Sequence, residues 1–335
     1  MSSRLLCRLW LPALLLALVA GRADAAETDK YLPDDTNGLI SLNVRQVVDS
    51  PLFKKTYLPQ LQQLLKSQAD LQKQLQAVGF DPLRDIDRAL LAFADSCERP
   101  GGKAEPGFVL IFKGRFDLVK LHAKAAELVP HLKGALKIQK SGNGVVYEIA
   151  GEERNFFFAL PDRNTLVLAP RREPVGDALD RATGKKKLVL KSKEVQELIT
   201  KTDGKQALWV VATGGTTVSF ESVLAGPKGN KTEQMARKTL ADSGVYEVSG
   251  GFWLTDNVKA AFGVKVQTTQ AAKAVGDALQ AELAKTIENG FDGKLDDPRF
   301  APVREFLKEM VIAGDGKHIV IQSEVAGRVI VNSAK

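Results

Sequence analysis

The feature that most constrains this chain is a two-residue alternation running from Tyr246 to Val266. Tyr246, Val248, Phe252 and Leu254 lead to Asp256-Asn257, and Val258, Ala260, Phe262, Val264 and Val266 return with Lys259, Gly263 and Lys265 between them. A period of two puts successive side chains on opposite faces of a strand, so one face belongs to a core and the other to water. Two such runs around a short polar turn predict an antiparallel hairpin. Consecutive hairpins of this kind argue for antiparallel sheets with helices segregated to one face, and against a doubly wound parallel sheet.

The rest of the chain supplies the partners. A strand is expected over 38–44, after the turn-rich Leu32-Pro33-Asp34-Asp35-Thr36. Ser50-Pro51 offers an N-cap with proline at the first helical position, and Leu61, Leu64, Leu65, Leu71, Leu75 and Val78 recur at helical spacing until Gly79. Pro59 should break the first turns of that helix. Asp81-Pro82-Leu83-Arg84-Asp85 reads as a turn, and strands are expected at 86–94 and 107–114 with a loop at Arg99-Pro100-Gly101-Gly102 between them. A helix over 116–128, strands at 136–139, 145–150, 156–160 and 165–169, and helices at 175–182 and 194–201 complete the first half. The second half offers a strand at 207–213, a Gly-rich loop over 214–229, a helix at 231–242 and then the hairpin. Helices near 275–287 and 299–309 and closing strands at 318–325 and 328–332 follow.

Both halves thus run strand, helix, two strands, helix, more strands. Their openings are alike in pattern, Asp35-Thr36-Asn37-Gly38-Leu39-Ile40-Ser41-Leu42 beside Asp203-Gly204-Lys205-Gln206-Ala207-Leu208-Trp209-Val210. The expected fold is α+β, with two similar modules at 26–203 and 204–335, each a mainly antiparallel sheet with helices packed on one face. Length agrees, since 335 residues is about two domains' worth of chain. With 44% apolar and 26% charged residues, collagen, disordered and coiled-coil classes are excluded.

The first segment reads as an address. Arg4 and Arg8 form a basic leader, Leu9 to Ala20 is apolar apart from Pro12, and Ala23-Asp24-Ala25 is an A-x-A cleavage pattern. Residues 1–25 are expected to be a signal peptide cut before Ala26, because Gly21-Arg22 closes the apolar run before spanning length. The product is expected to be exported, periplasmic or extracellular, with no transmembrane segment after cleavage. A lipid anchor would need a cysteine just after the run, and Cys7 precedes it. Losing Arg4, Arg8, Arg22 and Asp24 lowers the formal charge from +7 to +5 and leaves Cys97 alone, so no internal disulfide can form. A large exported chain without disulfides suits a bacterial exterior better than a eukaryotic secretory route, and Cys97 reads as a small buried hydrophobe.

Several motifs together resemble one group of proteins. Leu32-Pro33-Asp34, Leu42-Asn43-Val44-Arg45-Gln46-Val47, Asp49-Ser50-Pro51-Leu52 and Gly79-Phe80-Asp81-Pro82-Leu83-Arg84-Asp85-Ile86-Asp87 are similar to the start of an exported bacterial, planctomycete-type family of unknown function. Gly250-Gly251-Phe252-Trp253-Leu254-Thr255-Asp256 is similar to its second half. The resemblance spans most of the chain after residue 25. It implies export and a two-part α+β layout and transfers no functional residue.

Candidate chemistry is sparse. His122, His131 and His318 stand in no ligand spacing and beside no obvious acid. Asp81, Asp85 and Asp87 surround a turn, and Asp85 with Asp87 could serve a carboxylate-dependent envelope hydrolase, the alternative reading of function. Turn chemistry accounts for Asp81-Pro82 without it. In Asp292-Gly293-Lys294-Leu295-Asp296-Asp297, Lys294 takes the place of a calcium-loop oxygen ligand. Gly226-Pro227-Lys228-Gly229-Asn230-Lys231-Thr232 inserts Asn230 where a phosphate loop needs Gly-Lys, and reads instead as a loop with Asn230 as N-cap. No catalytic residue, metal ligand or cofactor is therefore expected.

What remains is positive charge. Lys185, Lys186, Lys187, Lys191 and Lys193 lie within nine residues, with Arg171-Arg172 a helix earlier. Such a patch attracts anionic envelope polymer or a lipid surface, while the lack of aromatic residues among the lysines argues against sequence-specific nucleic acid. The expectation is a non-enzymatic exported protein of the cell envelope, binding or structural, whose partner is an anionic surface or another protein.

Overall fold

The computed structural model describes residues 25–98, 104–132, 134–142, 144–151, 154–214, 244–289 and 300–333. Its strands are β1 (Thr36–Leu42), β2 (Ile86–Glu98), β3 (Ala104–Gly114), β4 (Leu136–Ser141), β5 (Gly144–Ile149), β6 (Phe156–Asp162), β7 (Thr165–Ala169), β8 (Leu208–Thr213), β9 (Val245–Leu254), β10 (Asn257–Val266), β11 (Val311–Asp315) and β12 (His318–Ala326). Helices between β1 and β2 are α1 (Val44–Asp49), α2 (Pro51–Thr56), α3 (Leu58–Ser67), α4 (Ala69–Ala77) and α5 (Pro82–Asp85). Then come α6 (Leu118–Leu128), α7 (Arg172–Ala182), α8 (Lys193–Lys201), α9 (Thr269–Asn289), α10 (Ala301–Lys308) and α11 (Gly327–Ser333). The expected loop at 99–102, loop and helix at 214–242, and acidic run at 292–297 lie in or almost wholly in segments outside the described residues, as does the Cys97 side chain.

The strands form one sheet in the order β11-β12-β10-β9-β8-β1-β2-β3-β7-β6-β5-β4, antiparallel at every pairing. The fold is α+β. The first strands of the two halves pair with each other, Leu39 opposite Val211 and Ser41 opposite Trp209, so both sets of strands make a single continuous sheet. Outward from that seam the order is β1-β2-β3 on one side and β8-β9-β10 on the other. The sequence of β8, Leu-Trp-Val-Val-Ala-Thr, explains its central place: Trp209, Val210, Val211 and Ala212 are all buried, as a strand covered on both faces requires. Beside it Gly251 is obligatory, because a Cβ there would stand 2.1 Å from the Leu208 carbonyl oxygen.

The largest core lies on one face. Leu39, Leu90, Ala92, Val109, Ile111, Val167 and Trp209 meet Val175, Ala178 and Leu179 of α7 and Val195, Leu198 and Ile199 of α8. Ala26, Tyr31 and Leu32 belong to the same cluster, so the segment leading into β1 is part of the core. Since Ala159 faces this cluster, its neighbour Phe158 points to the opposite face, where Leu121, Ala125 and Leu128 of α6 cover Leu136 and Tyr147. In the second half, Ala272, Val275 and Leu279 of α9 pack on Val264, Val266 and Ile319.

The chain end corrects one expectation. Residues 328–332, expected as a strand from their β-branched character, form α11. Both edges of β12 are taken, by β10 and by the unforeseen β11, so no sheet partner remains there for a further strand. Helical winding instead turns Ile330 inward onto Val325 and Leu52, the latter from α2. Tertiary packing overrides local propensity here.

Candidate functional site

The five lysines singled out by the sequence lie on a strap, 184–192, and the first turn of α8. Leu188 and Leu190 pack against the main core, while Val189 between them is 67% exposed. Extended chain with alternate residues anchored explains why the intervening lysines face water. Lys185, Lys187, Lys191 and Lys193 are exposed and make no ion pair among the described residues. Lys186 differs, because its ammonium reaches Asp177 at 2.6 Å and Asp34 at 3.2 Å. Those carboxylates, Asp177 first, raise its pKa and remove it from any free patch.

Asp34 holds the strap down. Its Oδ1 accepts from Arg181 Nη2 at 2.6 Å and from the Val189 amide at 3.1 Å, and its carbonyl accepts the Lys191 amide at 2.7 Å. Burial pushes the Asp34 carboxyl up, but the Val189 amide, the Lys186 hydrogen bond and the charges of Arg181 and Lys186 outweigh it and hold the carboxyl below the ordinary aspartate range. Arg181 is buried, and its Nε and Nη1 have no hydrogen-bond partner among the described residues. Sequence reasoning missed this clamp because Asp34 and Arg181 are 147 residues apart. The local signal was present: Arg181 lies three residues after Ala178, on the apolar face of α7.

The acids at the turn are all engaged. Asp81 caps α5 by accepting the Leu83 amide at 3.0 Å, and Asp87 pairs with Arg45 at 3.3 Å. Asp85 is buried, accepts the Asp81 amide at 2.8 Å, and pairs with Arg84 at 3.1 Å and Arg115 at 3.4 Å. Burial raises the Asp85 pKa, yet the hydrogen bonds from Arg84 and the Asp81 amide, with the two guanidinium charges, bring it below the usual range. Acids engaged in a helix cap and in ion pairs give no support to the hydrolase alternative, which needs two carboxyls facing each other across a substrate.

Two open clefts flank this end of the sheet. One, about 630 Å³, mixes Glu27, Asp29 and Asp87 with Lys30, Arg45 and Lys113. The other, about 480 Å³, brings Arg84, Arg115 and Arg163 to the mouth above Asp85 and Phe116. No sequence motif joins these arginines, since they come from α5, from the residue after β3 and from the turn before β7. Of the histidines, His122 Nδ1 lies 2.9 Å from the Tyr147 hydroxyl, and His131 and His318 are exposed. Among the described residues no group of histidine, cysteine and acidic side chains is arranged to hold a metal, and no helix is long and apolar enough to cross a membrane.

No family model matches the chain, and no curated protein matches it. Among solved structures, the chain is similar to crystal form III of TP0453 at 10% identity and a TM-score of 0.48, over 92% of this chain and 99% of that one. It is also similar to crystal form I of TP0453, at 7% identity and a TM-score of 0.46, over 92% of this chain and 97% of that one.

Proposed function

We propose that the chain is an exported, non-catalytic binding protein of the cell envelope, periplasmic or extracellular, which contacts an anionic envelope surface through Lys185, Lys187, Lys191 and Lys193. The observation that carries this reading is the contrast within the run. Lys186 is consumed by Asp34 and Asp177, whereas its four companions, on the pinned strap and the first turn of α8, stand exposed and make no ion pair among the described residues. Clustered charge of one sign attracts polyanions at long range, and a pinned backbone leaves only the side chains to be ordered on contact.

Export is supported by the pattern of residues 1–25 and by the place where the chain enters the core. Ala26 is 5% exposed and donates its amide to the Thr202 carbonyl at 2.9 Å, so a cut before it would keep every core residue named above in the chain. A duplicated unit is our reading of the two halves, supported by the like order of strands on either side of the β1–β8 seam.

The test is co-sedimentation of the purified protein with anionic polysaccharide and, separately, with vesicles of anionic or zwitterionic lipid, at low and at physiological salt. Binding to the anionic probes, weakened by salt and by changing Lys185, Lys187, Lys191 and Lys193 together to Gln, is expected. Equal retention of the parent and the quadruple variant would overturn the assignment. Intact mass of the exported protein checks the cut after Ala25 on its own.

A further inference from the structure

We propose that the 480 Å³ cleft where β3 ends and β2 and β7 begin is a phosphate-binding site built from Arg84, Arg115 and Arg163. This goes beyond the lysine strap and shares no residue with it.

The argument begins with Asp85. Its side chain is 8% exposed and is fixed by the Asp81 amide, so it offers a rigid carboxylate beneath the surface. Arg84 spends Nε and Nη2 on that carboxylate, at 3.1 and 3.2 Å, which leaves Nη1 outward. Arg115 spends Nη2 on Asp85 and on the Arg84 carbonyl, at 3.4 and 2.8 Å, which leaves Nε and Nη1. A buried acid therefore orients two planar forks, while their side chains remain 64% and 62% exposed. Arg163, exposed on the β6–β7 turn at the same cleft, makes no ion pair among the described residues and keeps every donor.

The charge balance agrees. Among the residues lining the cleft, Arg84, Arg115 and Arg163 face Asp85 and Asp117, and Asp117 is itself paired with Lys120 at 3.2 Å, so the excess is positive. The N-terminus of α6 is not the recognition element, because the Asp117 side chain already takes the Lys120 amide at 3.0 Å. Three guanidinium groups present more donors than the two oxygens of a carboxylate accept, and their fork geometry suits a tetrahedral oxyanion. The floor is firm, with Phe116 stacked on Phe80 at 5.6 Å between ring centres. Leu118 and Val119, 38% and 79% exposed, form an apolar shelf beside the arginines. A phosphate that carries an apolar group would use both.

The experiment is calorimetric titration of the purified protein at fixed ionic strength, with inorganic phosphate as one probe and phosphatidylglycerol vesicles, against phosphatidylcholine vesicles, as the other. Saturable binding of at least one probe is expected. Arg163→Gln should weaken it by roughly 10-fold or more, the worth of a lost charge-assisted contact, and leave the unfolding midpoint of the free protein unchanged. Arg115→Lys keeps the charge but loses the fork, and should weaken it several-fold. The quadruple lysine variant should bind inorganic phosphate like the parent. The probe that responds tells whether the phosphate is free or borne by lipid. No binding of either probe, or binding indifferent to Arg163→Gln, would overturn the site.

Discussion

Replacing Asp34 by Asn tests whether the strap is held by a buried charge or by its apolar anchors. Arg181 is 2% exposed in its side chain, and Asp34 is its one side-chain partner among the described residues, at 2.6 Å. Two unit charges about 4 Å apart attract by about 4 kcal/mol at an effective dielectric near 20, and stripping the partner from a buried ion typically costs about 3–5 kcal/mol. Asp34 is 23% exposed, which places the estimate at the lower end, about 3 kcal/mol. Lys186, 37% exposed, adds under about 1 kcal/mol. The Val189 amide keeps an oxygen acceptor in Asn, so its hydrogen bond is weakened by the lost charge but not broken. Arg181→Met makes the opposite perturbation. It removes the buried ion together with the two unpartnered nitrogens, and Asp34 retains Lys186 and Val189, so stability should stay within about 1 kcal/mol of the parent. Urea denaturation followed by the fluorescence of buried Trp209 measures both. If Asp34→Asn costs under about 1 kcal/mol, or if Arg181→Met costs as much, the clamp is not electrostatic and the reasoning fails.

The seam between the halves is tested by Gly251→Ala, whose Cβ would meet two backbone atoms of β8, the Leu208 oxygen at 2.1 Å and the Trp209 Cα at 2.8 Å. A loss of at least about 2 kcal/mol is expected, whereas Gly276→Ala in α9, with nothing within 4 Å, should gain about 0.5–1 kcal/mol in the same denaturation assay. Acid titration of the unfolding midpoint gives a third check. Asp34, Asp85 and Asp162 are each pushed up by burial but held low overall by their hydrogen bonds and cationic neighbours. Carboxyls with depressed folded-state values stabilise above the unfolded pKa near ~4 and lose that contribution as pH falls through the lower folded values. The midpoint should therefore be flat from neutrality to about pH 5 and drop below about pH 4, and Asp34→Asn should flatten the drop.

The elements that were legible are those whose local pattern and tertiary fate agree. The β9–β10 hairpin turns at Asp256-Asn257 as its alternation requires, and α8 is capped by Ser192, whose hydroxyl accepts the Val195 amide. The 328–332 segment failed because Val329, Ile330 and Val331 favour a strand only where an edge is free, and β11 had taken it. The lysine run was legible as charge but not as two different environments, one lysine paired and four exposed. Whether a lysine is free depends on Asp34, and Asp34 lies at the other end of the first half. The arginine cleft had no sequence signal, since sheet order alone brings Arg84, Arg115 and Arg163 together.

That placement follows from the single sheet. The strands beside the seam are largely covered on both faces, so a charge along β1 or β8 would be stranded without water, and neither strand carries one. Charge is displaced to strand ends and to straps, which is where the arginines and lysines stand. These positions divide into two electrostatic kinds. The Asp34–Arg181 pair is shielded from solvent ions, so added salt should leave its contribution to stability nearly intact. The four free lysines interact through water, and any attraction they exert must fade as the Debye length shortens from about 30 Å at 0.01 M to about 8 Å at 0.15 M. Stability that holds while polyanion binding falls over that range is what a clamp beneath a contact surface predicts. Parallel loss of both would mean that the strap itself is released by salt, and that Asp34 does not fix it.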